Sequence, residues 1–333
     1  MTVPLHPTHP TRRAILAGAA ASAAALACPL PLRAQGGIAA LDFYGPPAGP
    51  SITLAHAVAT GRFDDLAQAA SMTAWRSPDE LRAGLTSGSI QLSIVPVQAA
   101  ANLYNRGFPI RLANVMTDGL LYIASSDAEI GSIGDLKGRG LAVPFRGDTP
   151  EILFAQLLAH HGIAGDPDIT YAATPVEAMQ LLLAGRVEAA LTTEPSTSAA
   201  VAMGRTAGKD IRRVVDLQTA WGEMTGAAPV LPQAGLAVAG DFLTAHDDAV
   251  PAILSALDAA NADVLADPEA AARHASAALD MPAPLLAASI THSNLVARPA
   301  SEARGDIERM LTAMTGPDMG AINGKLPDDG FYL

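Results

Sequence analysis

His160 and His161 stand side by side in this 333-residue chain. Neighbouring positions on a helix point to different faces, so the two cannot share a metal as an i, i+4 pair does. The polar end of a helix accounts for them. The chain has no Gly-x-Ser-x-Gly elbow, no Walker loop and no Gly-x-Gly-x-x-Gly turn, so the usual signatures of nucleophilic, nucleotide and dinucleotide chemistry are missing. One cysteine, Cys28, excludes an intrachain disulfide and a cysteine-rich metal site. These observations assign no catalytic residue, no metal and no cofactor.

The remaining residues of chemical interest sit where apolar runs give way to turns. Tyr44, Gly45 and Ser51 bracket a Gly/Pro loop, and Phe145, Arg146, Gly147, Asp148 and Thr149 form another. Trp75, then Val97 and Gln98, then Asp118 follow three further runs. Thr193 and Glu194 precede Pro195, and Trp221 follows a later run. Arg146 is suited to a carboxylate, sulfonate or phosphate, or it is a solvated loop arginine. Glu194 receives a ligand amine or amide, or it favours the start of the next helix. Tyr44, Trp75, Phe145 and Trp221 offer flat faces to a planar ligand, or they are core.

What must position these residues is an α/β unit that occurs twice. The first copy has a strand over 38–43, the Gly/Pro loop, and a helix that Ser51 can cap. A helix over 78–86, a stop at Gly88 and a strand over 90–95 follow later. The second copy has a strand over 140–143, the loop over 144–149, and a helix opened by Pro150. A helix over 176–184, Gly185 and a strand over 187–192 follow. Residues 85–94 align with 182–191 without a gap. Further strands are expected over 66–73, 110–115, 121–125, 169–172, 213–217 and 235–240. Beyond residue 240 only helical patterns are expected, with a loop-like tail from Gly316. Strands alternating with helices predict two lobes, each a mainly parallel sheet flanked by helices. The lobes are residues 37–119 with 236–333, and residues 120–235. In such sheets the crevice lies at the carboxyl ends of the strands, where helix N-termini favour anions.

The first thirty-four residues read as an address. Arg12-Arg13 precede the small apolar run 14–27, and Pro29-Leu30-Pro31-Leu32-Arg33-Ala34 supplies a cleavage region. This is the order of a secretory signal, and the arginine pair is that of twin-arginine export. Cleavage is expected after Ala34, with loss of Cys28; the alternative is a weak lipoprotein box, 25–28, with Cys28 lipidated. Removal takes away Arg12, Arg13 and Arg33 and no acid. The full chain already carries 33 acids against 21 bases, which argues against nucleic acid. It is 50% hydrophobic and 16% charged, with mean hydropathy +0.25, which excludes a disordered acidic chain. At fourteen residues the apolar run is too short to span a bilayer.

A strand–Gly/Pro loop–helix start, the strand start Gly88-Ser89-Ile90-Gln91, the run Asp135-Leu136-Lys137-Gly138, and Thr193-Glu194-Pro195 occur in fixed order. Together, over about residues 37–300, they resemble the periplasmic solute-binding proteins of the nitrate/sulfonate/taurine ABC importers and their NMT1/THI5-like relatives. The resemblance implies a type II periplasmic-binding-protein fold with two hinge crossovers, near Asp118–Gly119 and Gln233–Gly235. It also implies a monomeric periplasmic receptor that closes on a small organic anion or nitrogen heterocycle and serves a membrane permease and its ATPase. The alternatives left open are an enzyme of cofactor-precursor metabolism on the same fold and a ligand-sensing partner of a membrane signalling protein.

Overall fold

The computed structural model describes residues 37–316 and 318–333. The expected signal over 1–34, the cleavage after Ala34 and the alternative at Cys28 lie outside the described residues.

The chain begins with β1 (Leu41–Gly45), α1 (Gly49–Ala59), β2 (Ala70–Ala74), α2 (Pro78–Ser87), β3 (Leu92–Pro96), α3 (Val97–Asn105), β4 (Ile110–Leu112) and β5 (Asn114–Thr117). It continues through β6 (Leu121–Ser125), β7 (Gly140–Pro144), α4 (Thr149–His160), β8 (Asp168–Ala172), α5 (Pro175–Leu183), β9 (Ala189–Thr193), α6 (Ser196–Thr206), β10 (Arg212–Asp216) and α7 (Leu217–Thr225). It ends with β11 (Ala234–Ala239), α8 (Gly240–His246), α9 (Val250–Ala266), α10 (Pro268–Leu279), α11 (Ala283–Ile290), β12 (Leu295–Pro299) and α12 (Ala300–Thr315).

The strands form two sheets. One runs β12-β5-β11-β3-β1-β2, with β4 also on β11; the other runs β10-β6-β9-β7-β8. The duplicated unit is visible in both, as β2-β1-β3 and β8-β7-β9. β1 pairs β2 in parallel from Leu41↔Ala70 to Gly45↔Ala74, and β7 pairs β8 from Gly140↔Asp168 to Pro144↔Ala172. The copies share their helix boundaries as well. Ser77 caps α2 by accepting the N–H of Glu80, and Thr174 caps α5 by accepting that of Glu177. Each cap is followed by a proline at the first helical position. Gly88 and Gly185 end the two helices with φ of 75° and 69°, backbone that glycine adopts at no steric cost. In both sheets most strands run one way, so the loops after β1, β2, β7, β8 and β9 gather along one edge.

Four elements depart from the sequence reading. Ser51 does not cap the first helix, because α1 already starts at Gly49 with Ala48 at its N-cap and takes Ser51 inside. The strand expected over 66–73 is confined to Ala70–Ala74. The run 110–115 is split into β4 and β5, because the Asn114 side chain accepts the N–H of Leu236 and interrupts the ladder against β11. β12 was not expected at all. It is an antiparallel edge strand on β5, mostly half-buried and closed by Pro299, so it carries no apolar alternation to betray it. The tail is loop-like but docked: Phe331 is buried, and the Leu333 N–H reaches the Leu112 carbonyl.

The largest apolar cluster joins both sheets, from Leu81 and Leu112 through Leu141 and Phe154 to Trp221 and Met310. α12 contributes Ala303, Ile307, Met310, Leu311 and Met314, a helical stripe set against both β5 and α4. α11 likewise touches α1 and α6. Residues 240–266 are apolar and long enough to cross a membrane by composition alone. In the fold, α9 turns Ile253, Leu257, Ala260 and Val264 into the interior.

Candidate functional site

Between the two sheets lies a cavity of about 750 Å³, within the roughly 300–1,000 Å³ typical of small-molecule sites. Pro46, Pro47, Ala48 and Pro50, from the loop into α1, line one side. Phe145, Asp148, Thr149 and Pro150, from the loop into α4, line the other. These are the matched loops of the duplicated unit, at the strand ends where the crevice is expected. Met72, Thr73, Ala74 and Trp75 follow along β2, and Thr174, Pro175 and Val176 come from the equivalent place after β8. Thr193 and Ser196 flank the end of β9, and Leu120, Gln233 and Ala234 come from the crossovers. The end of α10, residues 277–281, completes the wall.

Of the residues singled out in the sequence, Trp75, Phe145, Asp148, Thr149 and Thr193 stand on this wall. The Trp75 indole donates to the Ser93 hydroxyl at 3.3 Å, which fixes the ring. Phe145 has φ of 55°, sparsely populated for a bulky residue, and this conformation brings its ring to the cavity. Asp148 caps α4 by accepting the Thr149 N–H at 2.9 Å, and it accepts from Arg82 of α2 at 2.8 Å. The Thr149 hydroxyl donates to the Gln98 amide oxygen at 3.3 Å. These two contacts tie the first sheet's helices to the second's. They also divide the main cavity from a smaller one of about 380 Å³ lined by Gln98, Gly147, Arg82 and Arg106.

The others are engaged elsewhere. Glu194 is fully buried. Its carboxylate accepts from the Arg213 guanidinium, at 2.7 Å from Nε, and from the Ser198 N–H at 3.1 Å in the first turn of α6. Burial pushes its pKa up, and Arg213 opposes that shift. Of its two readings, helix support is the one seen. Asp118 pairs with Arg298 at 2.7 Å; burial raises its pKa, and Arg298 works against the rise. Arg146 is exposed and stacks over the Tyr171 ring at 4.6 Å. Trp221 lies one turn into α7 and is core. Val97 is buried at the start of α3, and Tyr44 packs on the main apolar cluster. Gly45 leaves no room for a side chain, because a Cβ there would strike the Ser51 hydroxyl. Ser51 itself is buried, and its hydroxyl has no hydrogen-bond partner among the described residues.

The carboxyl-end rule, applied equally to both copies, would have found residues 174–176. It could not have found 277–281, which end a helix and carry no local signal.

The model of the NMT1-like family matches residues 79–279. The chain belongs to the NMT1-like family. No curated protein matches it. Among solved structures, this NMT1-like chain resembles an ABC transporter protein from Parabacteroides distasonis at 24% identity and a TM-score of 0.71, covering 89% of this chain and 98% of that one. It also resembles the periplasmic aliphatic sulphonate binding protein of Escherichia coli, at 19% identity and 0.63, covering 81% and 91%. The periplasmic nitrate-binding protein of Synechocystis is similar at 15% identity and 0.59, covering 74% and 69%. The expected type II periplasmic-binding-protein architecture is the one these neighbours share.

Proposed function

We propose that the chain is the extracytoplasmic solute receptor of an ABC importer. It takes up a small organic solute between its lobes and presents it to a membrane permease and its ATPase. The observation that carries this reading is the convergence of two topologically equivalent loops, 46–50 and 145–150, on one cavity. Membership of the NMT1-like family and neighbours named for solute binding support it. Two crossovers, after β5 and before β11, supply hinges at Asp118–Gly119 and Gln233–Gly235. Export by a twin-arginine signal, cleaved after Ala34, places the receptor in the periplasm as a monomer.

Native mass spectrometry of protein isolated from cells grown in complex medium tests the reading. The expected result is a retained small molecule whose removal widens the particle in small-angle scattering and whose return compacts it. A scattering profile indifferent to every solute, or turnover of the bound molecule, overturns it. The intact mass of the exported protein checks cleavage after Ala34 against a lipid on Cys28.

A further inference from the structure

The two helix tips at the cavity suggest an anion site, but most of their donors are already spent. At α1 the Ala48 N–H goes to Pro46, that of Gly49 to the Glu194 carbonyl at 3.3 Å, and that of Ser51 to Ala48. Pro50, between them, has no N–H to give. The four positions whose N–H groups a helix start normally leaves free are thus accounted for. At α4 the Asp148 N–H goes to Phe145, the Thr149 N–H goes to the Asp148 carboxylate, and Pro150 again has none, which leaves the Glu151 N–H of that first turn. The first helical positions of α2 and α5 are prolines as well. Arg76 is the cavity's basic residue, and it is exposed at the rim, where salt screens it. The same wall carries two acids, Asp148 and Asp280. Stripping the water from a compact oxyanion costs more than such a wall returns.

We infer that the solute is an uncharged organic molecule with a flat apolar body, not a compact oxyanion. This deepens the receptor reading and rests on it. Trp75 from the first sheet and Phe145 from the second supply ring surface in the same space. Met72 and Leu279 extend the apolar wall. The wall also offers neutral polar handles: Thr193 closes β9 and Ser196 opens α6. They suit one or two hydrogen-bonding atoms on the edge of the solute.

Thermal-shift titration of the full-length protein with two panels tests this. One panel is nitrate, sulfate and taurine; the other is benzamide, nicotinamide and indole. The expected result is stabilisation by the neutral panel alone, unchanged between low and high salt. Phe145→Ala should weaken that binding about tenfold, the loss of one aromatic contact of roughly 1.4 kcal/mol. Phe145→Leu, which keeps apolar bulk, should recover part of it. Stabilisation by nitrate or taurine and not by the neutral panel overturns the inference and leaves the receptor reading standing. No stabilisation by either panel, with no molecule retained by the cell-derived protein, overturns both. A retained molecule that carries a formal negative charge overturns the inference alone.

Discussion

Glu194 shows how far a single residue can be read from its neighbours. Its place, after a buried strand and before Pro195, marks it as consequential. What it touches depends on Arg213, nineteen residues on and brought alongside by β10. Removing one member of a buried pair strands the other, at a cost of about 3–5 kcal/mol. Glu194→Ala should therefore lower the unfolding free energy by roughly 3 kcal/mol, toward the low end because Arg213 is partly exposed. Urea unfolding measures this; an unchanged midpoint would contradict the pairing. The two tryptophans teach the same lesson about phase. Both follow strands, and only their distance from the next helix separates their fates. Three residues of extended chain and cap part β2 from α2, so Trp75 stays on the loop and reaches the cavity. β10 runs straight into α7, so Trp221 is already on a helix and turned inward. Gly235 is a position where the reason for a residue type appears only in three dimensions: a Cβ there would collide with the Asn114 carbonyl. Gly235→Ala should cost on the order of 1–3 kcal/mol by overpacking, read in the same unfolding series.

Between elements, α1, α9 and α10 meet at a histidine pair. His56 of α1 and His274 of α10 approach at 3.0 Å between ring nitrogens. Asp263 of α9 lies 3.7 Å from His56 and also holds Arg62. Burial, then the neighbouring His274, pushes His56 below its ordinary value of 6.5, and Asp263 only partly opposes this. The unfolded chain then takes up a proton that the folded one refuses, so stability is full above 6.5 and falls as pH drops below it. The melting temperature should fall between pH 7.5 and 5.5, and His56→Gln should narrow that difference. An equal fall in both proteins would refute the assignment. Elements were legible where local chemistry marks both ends. The Gly88 and Gly185 stops bounded two helices from sequence, over 78–86 and 176–184, to within a residue of where they lie. β12 was not legible, because an edge strand with half-buried residues has no periodicity to show.

For the molecule as a whole, the duplicated unit was readable and the contacts across the gap were not. Arg82 and Asp148 are 66 positions apart, and nothing local links them. Arg82 is 47% exposed, so the pair is worth about 0.2–1 kcal/mol. Arg82→Met should accordingly reduce the closed population by up to about fivefold, and 1 M salt should act in the same direction. Energy transfer between dyes on the two lobes reads both; a variant as closed as the parent would show that the pair is incidental. The prolines have a larger consequence. Pro46, Pro47, Pro50, Pro78, Pro96, Pro150 and Pro175 all stand on the cavity wall, and each has one backbone torsion already locked by its ring. An arriving guest therefore finds a receptacle with little freedom left to surrender. Its selectivity is that of a mould in two halves: the hinges let a molecule in, but the stiff loops do not reshape to close around one too thick for the slot.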